Sequence, residues 1–128
     1  MLASLDHLVL TTRDVERCVD FYTRVLGMQR IEFGSGRIAL QFGTQKINVH
    51  SENMPISPLP ERVTPGSLDL CFLSSRPLHD VLEHLRAHSV EVIEGPVARN
   101  GAQFPLLSVY VRDPDGNLVE IAERAHFD

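Results

Sequence analysis

The order of secondary-structure elements in this chain occurs twice, and that repetition restricts the folds open to it more than any single motif. Leu5-Asp6-His7-Leu8-Val9-Leu10-Thr11 reads as a strand with His7, Val9 and Thr11 on one face. Asp14 is the N-cap candidate for a helix whose apolar positions, Val15, Cys18, Val19, Phe21, Tyr22, Val25 and Leu26, follow helical spacing until Gly27 ends it. Three strands are then expected: Met28 to Phe33, Arg37 to Phe42 and Lys46 to His50. After a proline-rich linker, Ser51 to Gly66, the order returns: a strand from Ser67 to Leu73, a helix opening near Pro77 and a strand from Val90 to Ile93. A polar loop, Arg99 to Pro105, leads to two last strands, Leu106 to Val111 and Leu118 to Ala122. A period of roughly 60 residues is too long for a solenoid, so the pattern describes two βαβββ halves. The boundaries read 1–50, 51–66 and 67–124.

Each half supplies a sheet with one helix, which covers one face and leaves the other open. Two halves, from one chain or from two, can close into a cup-shaped, mostly antiparallel α+β structure. With 128 residues there is enough chain for one such domain.

Asp113-Pro114-Asp115-Gly116 joins the last two strands, with proline pre-setting φ and glycine supplying the positive φ that closes the turn. Beyond it, alternation puts Glu120 on a face with Leu118 and Ala122. A carboxylate there needs a cation, a donor or a raised pKa. On the open faces of the other outer strands the same alternation places His7, Asn48 with His50, and Ser67 with Asp69 and Cys71. Imidazole nitrogen and carboxylate oxygen together suit a divalent first-row metal: Mn, Fe, Co, Ni or Zn. Two histidines, one carboxylate and open positions form an activating site in preference to a closed structural one. His79, His84 and His88 fall on the second helix and His126 on the tail, where they are expected to face water.

Other chemistries find little support. No nucleophilic triad and no phosphate-binding glycine-rich loop is present, and Cys71 has no adjacent activating cation. A net charge of −5 without a basic cluster argues against nucleic acid and anionic membranes as partners. No apolar run approaches the roughly 18 residues of a membrane span, and Met1 to Thr12 lacks the pattern of a signal peptide. Two distant cysteines, Cys18 and Cys71, fit reduced thiols in a cytoplasmic protein.

Three blocks carry a resemblance: Asp6-His7-Leu8-Val9-Leu10, Asp20-Phe21-Tyr22-Thr23-Arg24-Val25-Leu26-Gly27-Met28, and Val109 to Glu120 with its Asp-Pro-Asp-Gly-Asn turn. Together they resemble the vicinal oxygen chelate superfamily of glyoxalase I, bleomycin-resistance proteins, fosfomycin-resistance thiol transferases and extradiol dioxygenases. The stretches Ala39 to Gly43, Gln45 to His50, Pro65 to Asp69 and Glu94 to Val97 are similar to the subgroup of glyoxalase domain-containing protein 5 and virulence-associated glyoxalase-like proteins. The resemblance implies the glyoxalase-like fold, a homodimer and metal ligands from the first and last strands of each module. His7 fits the first-strand ligand, and Glu120 the last-strand ligand and proton carrier. Where glyoxalases carry a carboxylate on the fourth strand this chain has Asn48, with His50 two residues on. Where many members carry a histidine on the second module's first strand it has Ser67, with Asp69 two residues on. A shift of two keeps the face and moves a group about 7 Å along the strand. The strand register therefore decides whether His50 and Asp69 stand in for the usual ligands.

The expected function is a metal-dependent lyase, isomerase or dioxygenase acting on a small oxygen-chelating metabolite. The alternative is a metal-free protein that sequesters a small molecule, as bleomycin-resistance proteins do.

Overall fold

A computed structural model of the chain describes residues 1–125, so the reading of His126 lies outside the described residues. The chain forms two compact units, Met1–Ser67 and Leu68–Asp128.

The first unit contains β1 (His7–Thr12), α1 (Val15–Asp20), β2 (Gln29–Phe33), β3 (Arg37–Phe42) and β4 (Gln45–Ser51). The strands lie in the order β1-β4-β3-β2, with β1 parallel to β4 and the other pairs antiparallel. Asp14 caps α1 as its position predicts, its carboxylate accepting from the Arg17 N–H at 3.2 Å. The helix expected to run unbroken to Leu26 instead widens into a π-helical turn, Phe21–Val25, where the Leu26 N–H reaches back to Phe21 O at 3.2 Å. Within it the Thr23 hydroxyl donates to Val19 O at 2.7 Å, an alternative bond that loosens the helical ladder. Cys18, Phe21, Tyr22 and Val25 bury themselves, as do Leu10, Leu40, Ile47 and Val49 on the covered face of the sheet.

The second unit contains β5 (Asp69–Leu73), α2 (Leu78–Ala87), β6 (Glu94–Asn100), β7 (Pro105–Arg112) and β8 (Leu118–Arg124). Its order, β5-β8-β7-β6, repeats the first sheet with β5 parallel to β8. Leu78 and Leu85 of α2 are buried, as are Leu70, Val109, Val111, Val119 and Ile121. Glu123 of β8 accepts from the Leu78 N–H at 3.2 Å and so caps the helix that Pro77 opens without a side-chain cap of its own.

The strand expected at Val90–Ile93 is displaced to Glu94–Asn100, and the expected loop from Arg99 starts inside it. Val90 donates to Leu85 O at 2.9 Å, closing the helix, and pairing begins only when Ile93 donates to Tyr110 O at 2.8 Å. The register of β6 then shifts between Glu94 and Val97. Gly95 at φ +107 fills that bulge because a Cβ there would overlap Ser108 O and stand 2.9 Å from Val109 Cα.

The Asp113–Gly116 turn forms as expected, with Gly116 at φ +90 and its N–H on Asp113 O at 3.0 Å. Asp113 also accepts from the Asp115 and Asn117 N–H groups at 2.9 and 3.0 Å and from Asn117 Nδ2 at 2.7 Å. Asn117 Oδ1 in turn accepts from the Leu68 N–H at 2.9 Å, tying the entry of β5 to that of β8. No helix among the described residues is long and apolar enough to cross a membrane.

Candidate functional site

The covered face of each sheet is apolar, and the candidate polar and ionisable groups lie on the opposite faces. In the first unit β1 contributes His7, Val9 and Thr11 to that face. Their partners in β4 are Lys46, Asn48 and His50. Asp6 Oδ2 lies 2.8 Å from His7 Nδ1. The bond holds the Asp6 carboxyl below the usual range, with the charge of Lys46 adding a smaller pull the same way. A proton on Nδ1 leaves the Nε2 lone pair free to meet a cation, which is how a carboxylate prepares a metal-ligating histidine.

Asn48 stands diagonally across the parallel ladder from His7, opposite Val9. It is 4% exposed, and its Oδ1 is buried without a hydrogen-bond partner. Such an orphaned acceptor is costly unless a donor or cation meets it. His50 lies opposite Thr11, four positions along from the level of His7, or about 13 Å at strand spacing. The structure does not bring these two histidines together. The Nε2 of His50 stands 3.4 Å from Arg37 Nη2, and its pKa is lowered first by burial and then by the Arg37 charge.

In the second unit Glu120 lies on the open face with Cys71 of β5 and Tyr110 of β7 as its direct cross-strand partners. The Ser108 hydroxyl donates to Glu120 Oε2 at 2.7 Å. Cys71 is exposed as a residue. Its thiol is nevertheless pushed up to about 11, first by desolvation of the sulfur and then by the Glu120 carboxylate. A thiol raised this far is a poor nucleophile at neutral pH. Burial and Glu120 together raise Tyr110, while the Arg99 guanidinium pulls it the other way, its Nε donating to the phenol oxygen at 2.9 Å. Arg99 is itself anchored by Glu94 at 3.4 Å.

Asp69 lies opposite Leu118, diagonal to Glu120. In the first ladder His7 and Asn48 differ by one step of two residues. In the second, Asp69 and Glu120 differ by the same step. The registers therefore make Asp69 the counterpart of His7, and Asn48 the counterpart of Glu120. Ser67 precedes β5 and donates to Thr64 O at 2.7 Å. Among the described residues no group of three or more His, Cys, Asp or Glu is gathered at one point.

Of the helix histidines, His79 is exposed, but His84 and His88 are half-buried with ring centroids 4.2 Å apart, which differs from the solvated placement expected. Sequence reasoning passed over Asn48, because an amide was read as a departure from a carboxylate, and over Tyr110. Counting back from the Asp-Pro-Asp-Gly turn sets Tyr110 against Glu120, and that count was available in the sequence.

Two four-stranded sheets, each with a short helix in its unit and a parallel strand pair at one edge, define a class of protein. The sequence model of the Glyoxalase/Bleomycin resistance protein/Dioxygenase superfamily matches residues 4–121, and the chain belongs to that superfamily. It is 51% identical over 119 residues to glyoxalase domain-containing protein RDO1 of Mycosarcoma maydis, covering 93% of this chain and 67% of that protein. It is 47% identical to virulence protein STM3117 of Salmonella typhimurium over 93% of this chain and 83% of the relative. The crystal structure of STM3117 superposes with a TM-score of 0.95, covering 98% of this chain and 99% of the other. An integron cassette protein from the mobile metagenome of V. cholerae gives the same TM-score at 46% identity, with 98% of each chain covered.

Proposed function

We propose that this chain is a divalent-metal-dependent enzyme of the vicinal oxygen chelate type, acting on a small oxygen-chelating metabolite by isomerase, lyase or dioxygenase chemistry. The observation that carries the reading is the matched step in the two parallel ladders, His7 with Asn48 and Asp69 with Glu120. The orphaned Oδ1 of Asn48 and the Asp6-oriented ring of His7 are the features that fit a cation. We assign His7 with Asn48 in the first unit, and Asp69 with Glu120 in the second, as donor pairs. Imidazole nitrogen with amide and carboxylate oxygens suits the first-row ions Mn, Fe, Co, Ni and Zn. Asn48 takes the place that the sequence offered to His50.

When bound, such an ion supplies Lewis-acid polarisation of a pair of substrate oxygens. Glu120 is the proton carrier, its carboxylate fixed by the Ser108 hydroxyl. Tyr110 is oriented by Arg99 beside that carboxylate and serves as a second proton donor. A homodimer in the cytoplasm is the assembly and location that accompany this reading.

The test is elemental analysis of untagged protein purified without chelator, repeated after incubation with each ion. His7→Ala, Asn48→Ala, Asp69→Ala and Glu120→Ala should each lower a near-stoichiometric metal content, and His50→Ala should leave it in place. His88→Gln controls for adventitious capture by the adjacent His84–His88 ring pair. Protein that holds no ion under any of these conditions overturns the enzyme reading and leaves a metal-free small-molecule binder.

A further inference from the structure

The open face of the first unit carries a cationic group that the metal reading does not use. Arg37 of β3 lies opposite Phe33 of β2, its guanidinium carbon 4.8 Å from the ring centroid. Lys46 Nζ stands 4.0 Å from the same centroid, so one aromatic ring is shared by two cations. His50 Nε2 accepts from Arg37 Nη2 at 3.4 Å. All four side chains are half-buried.

Their neighbours do not balance this charge. Arg24, Arg30 and Arg99 each pair with a carboxylate, at 3.0, 2.9 and 3.4 Å. No acidic side chain pairs with Arg37 among the described residues, and its Nε is buried without an acceptor. Asp6, the acid within reach of the Lys46 charge, is engaged by His7. Gathering two permanent cations and an imidazole while leaving out a counter-ion is unfavourable in a partly desolvated place. The arrangement is explained if an anion from outside the chain completes it.

A cleft of about 120 Å³ adjoins this group through His50. Thr11, Pro55, Leu59 and Val63 line it with His50, and Glu52 is the acid on its wall. The wall offers apolar contact and repels a second negative charge, so an acidic ligand would enter with its charged end at Arg37 and its apolar end in the cleft.

We propose that Arg37, held by its bond to His50 Nε2, and Lys46, beside the same Phe33 ring, bind the acid group of a small organic anion whose short apolar remainder occupies the cleft beside the Pro55–Val63 segment. The ligand class is a carboxylate, or an oxyacid of similar shape, bearing a small alkyl group. The proposal rests on the first unit alone and is independent of the metal reading.

The experiment is an amide chemical-shift titration of the full chain in excess EDTA with isovalerate, inorganic phosphate and neutral isovaleramide as probes. Isovalerate should give saturable shifts at Phe33, Arg37, His50 and Leu59. Phosphate should shift Arg37 and His50 more weakly and spare Leu59, and isovaleramide should shift none of them. Arg37→Gln should weaken isovalerate by about tenfold or more, as loss of a charge pair predicts. Lys46→Gln, a milder change in the same group, should weaken it by a smaller factor, and Arg30→Gln should have no effect. Absence of saturable shifts overturns the proposal, as does equal binding by Arg37→Gln and Lys46→Gln with their folds intact, or equal binding of isovaleramide. EDTA keeps these outcomes separate from any failure to hold a metal.

Discussion

A carboxylate on the open face of a sheet is held by whatever its cross-strand partners donate, and for Glu120 those partners are neutral. Ser108 gives a 2.7 Å hydrogen bond, while Cys71 and Tyr110 lie directly opposite. The thiol bears the consequence. With its pKa pushed up to about 11 from the ordinary 9.0, Cys71 at pH 7.5 carries about one-hundredth of the thiolate of an unperturbed cysteine. Iodoacetamide should therefore label Cys71 slowly although it is exposed, and should not reach buried Cys18. Glu120→Gln should speed the labelling, measured by intact mass, because it removes a charge that opposes the thiolate. Equal rates in the two proteins would show that burial alone sets the shift. The faces of His7, Asn48 and Glu120 were legible from alternation, since each sits on a strand whose face the neighbouring residues declare. The unmet hydrogen bond of Asn48 Oδ1 was not, because no residue type announces that.

At the scale of elements, local chemistry was legible wherever it is encoded in adjacent residues. Asp14 caps α1, and Gly27 ends the helical segment at φ +76. The Asp113–Gly116 turn joins β7 to β8. Elements fixed by distant contacts were misplaced. Val90–Ile93 has the composition of a strand, yet pairing starts at Glu94 because Leu85 O takes the Val90 N–H and the Gly95 bulge resets the register against Ser108. The same turn shows how a short motif acts at long range. Asn117 is 1% exposed and links Asp113 to the Leu68 N–H, so it fastens two strand entries at once. Asn117→Ala should lower unfolding stability by about 2–4 kcal/mol, since it removes two hydrogen bonds and leaves buried groups unmet. Urea denaturation with an unchanged m-value is the check. A loss under about 0.5 kcal/mol would mean that the Asp113 backbone bonds suffice without it.

At the scale of the whole chain the duplication was legible, since the βαβββ order returns with the same strand arrangement in both sheets. What the sequence left open was the register of the parallel pairs. Alternation assigns a face, but only the ladder says which residues on two strands face each other. That register pairs His7 with Asn48 in kind with Asp69 and Glu120, and it sets His50 apart. An ion bound only by the folded chain raises stability by RT ln(1 + [M]/Kd), about 4 kcal/mol at a thousandfold excess over Kd. On the proposed donor assignment that increment should shrink in His7→Ala and in Glu120→Ala. Thermal melts with and without added Mn should show a metal-dependent rise in Tm in the parent chain and in His50→Ala, and a smaller one in either donor variant. A rise that survives a donor substitution undiminished would strike that residue from the donors.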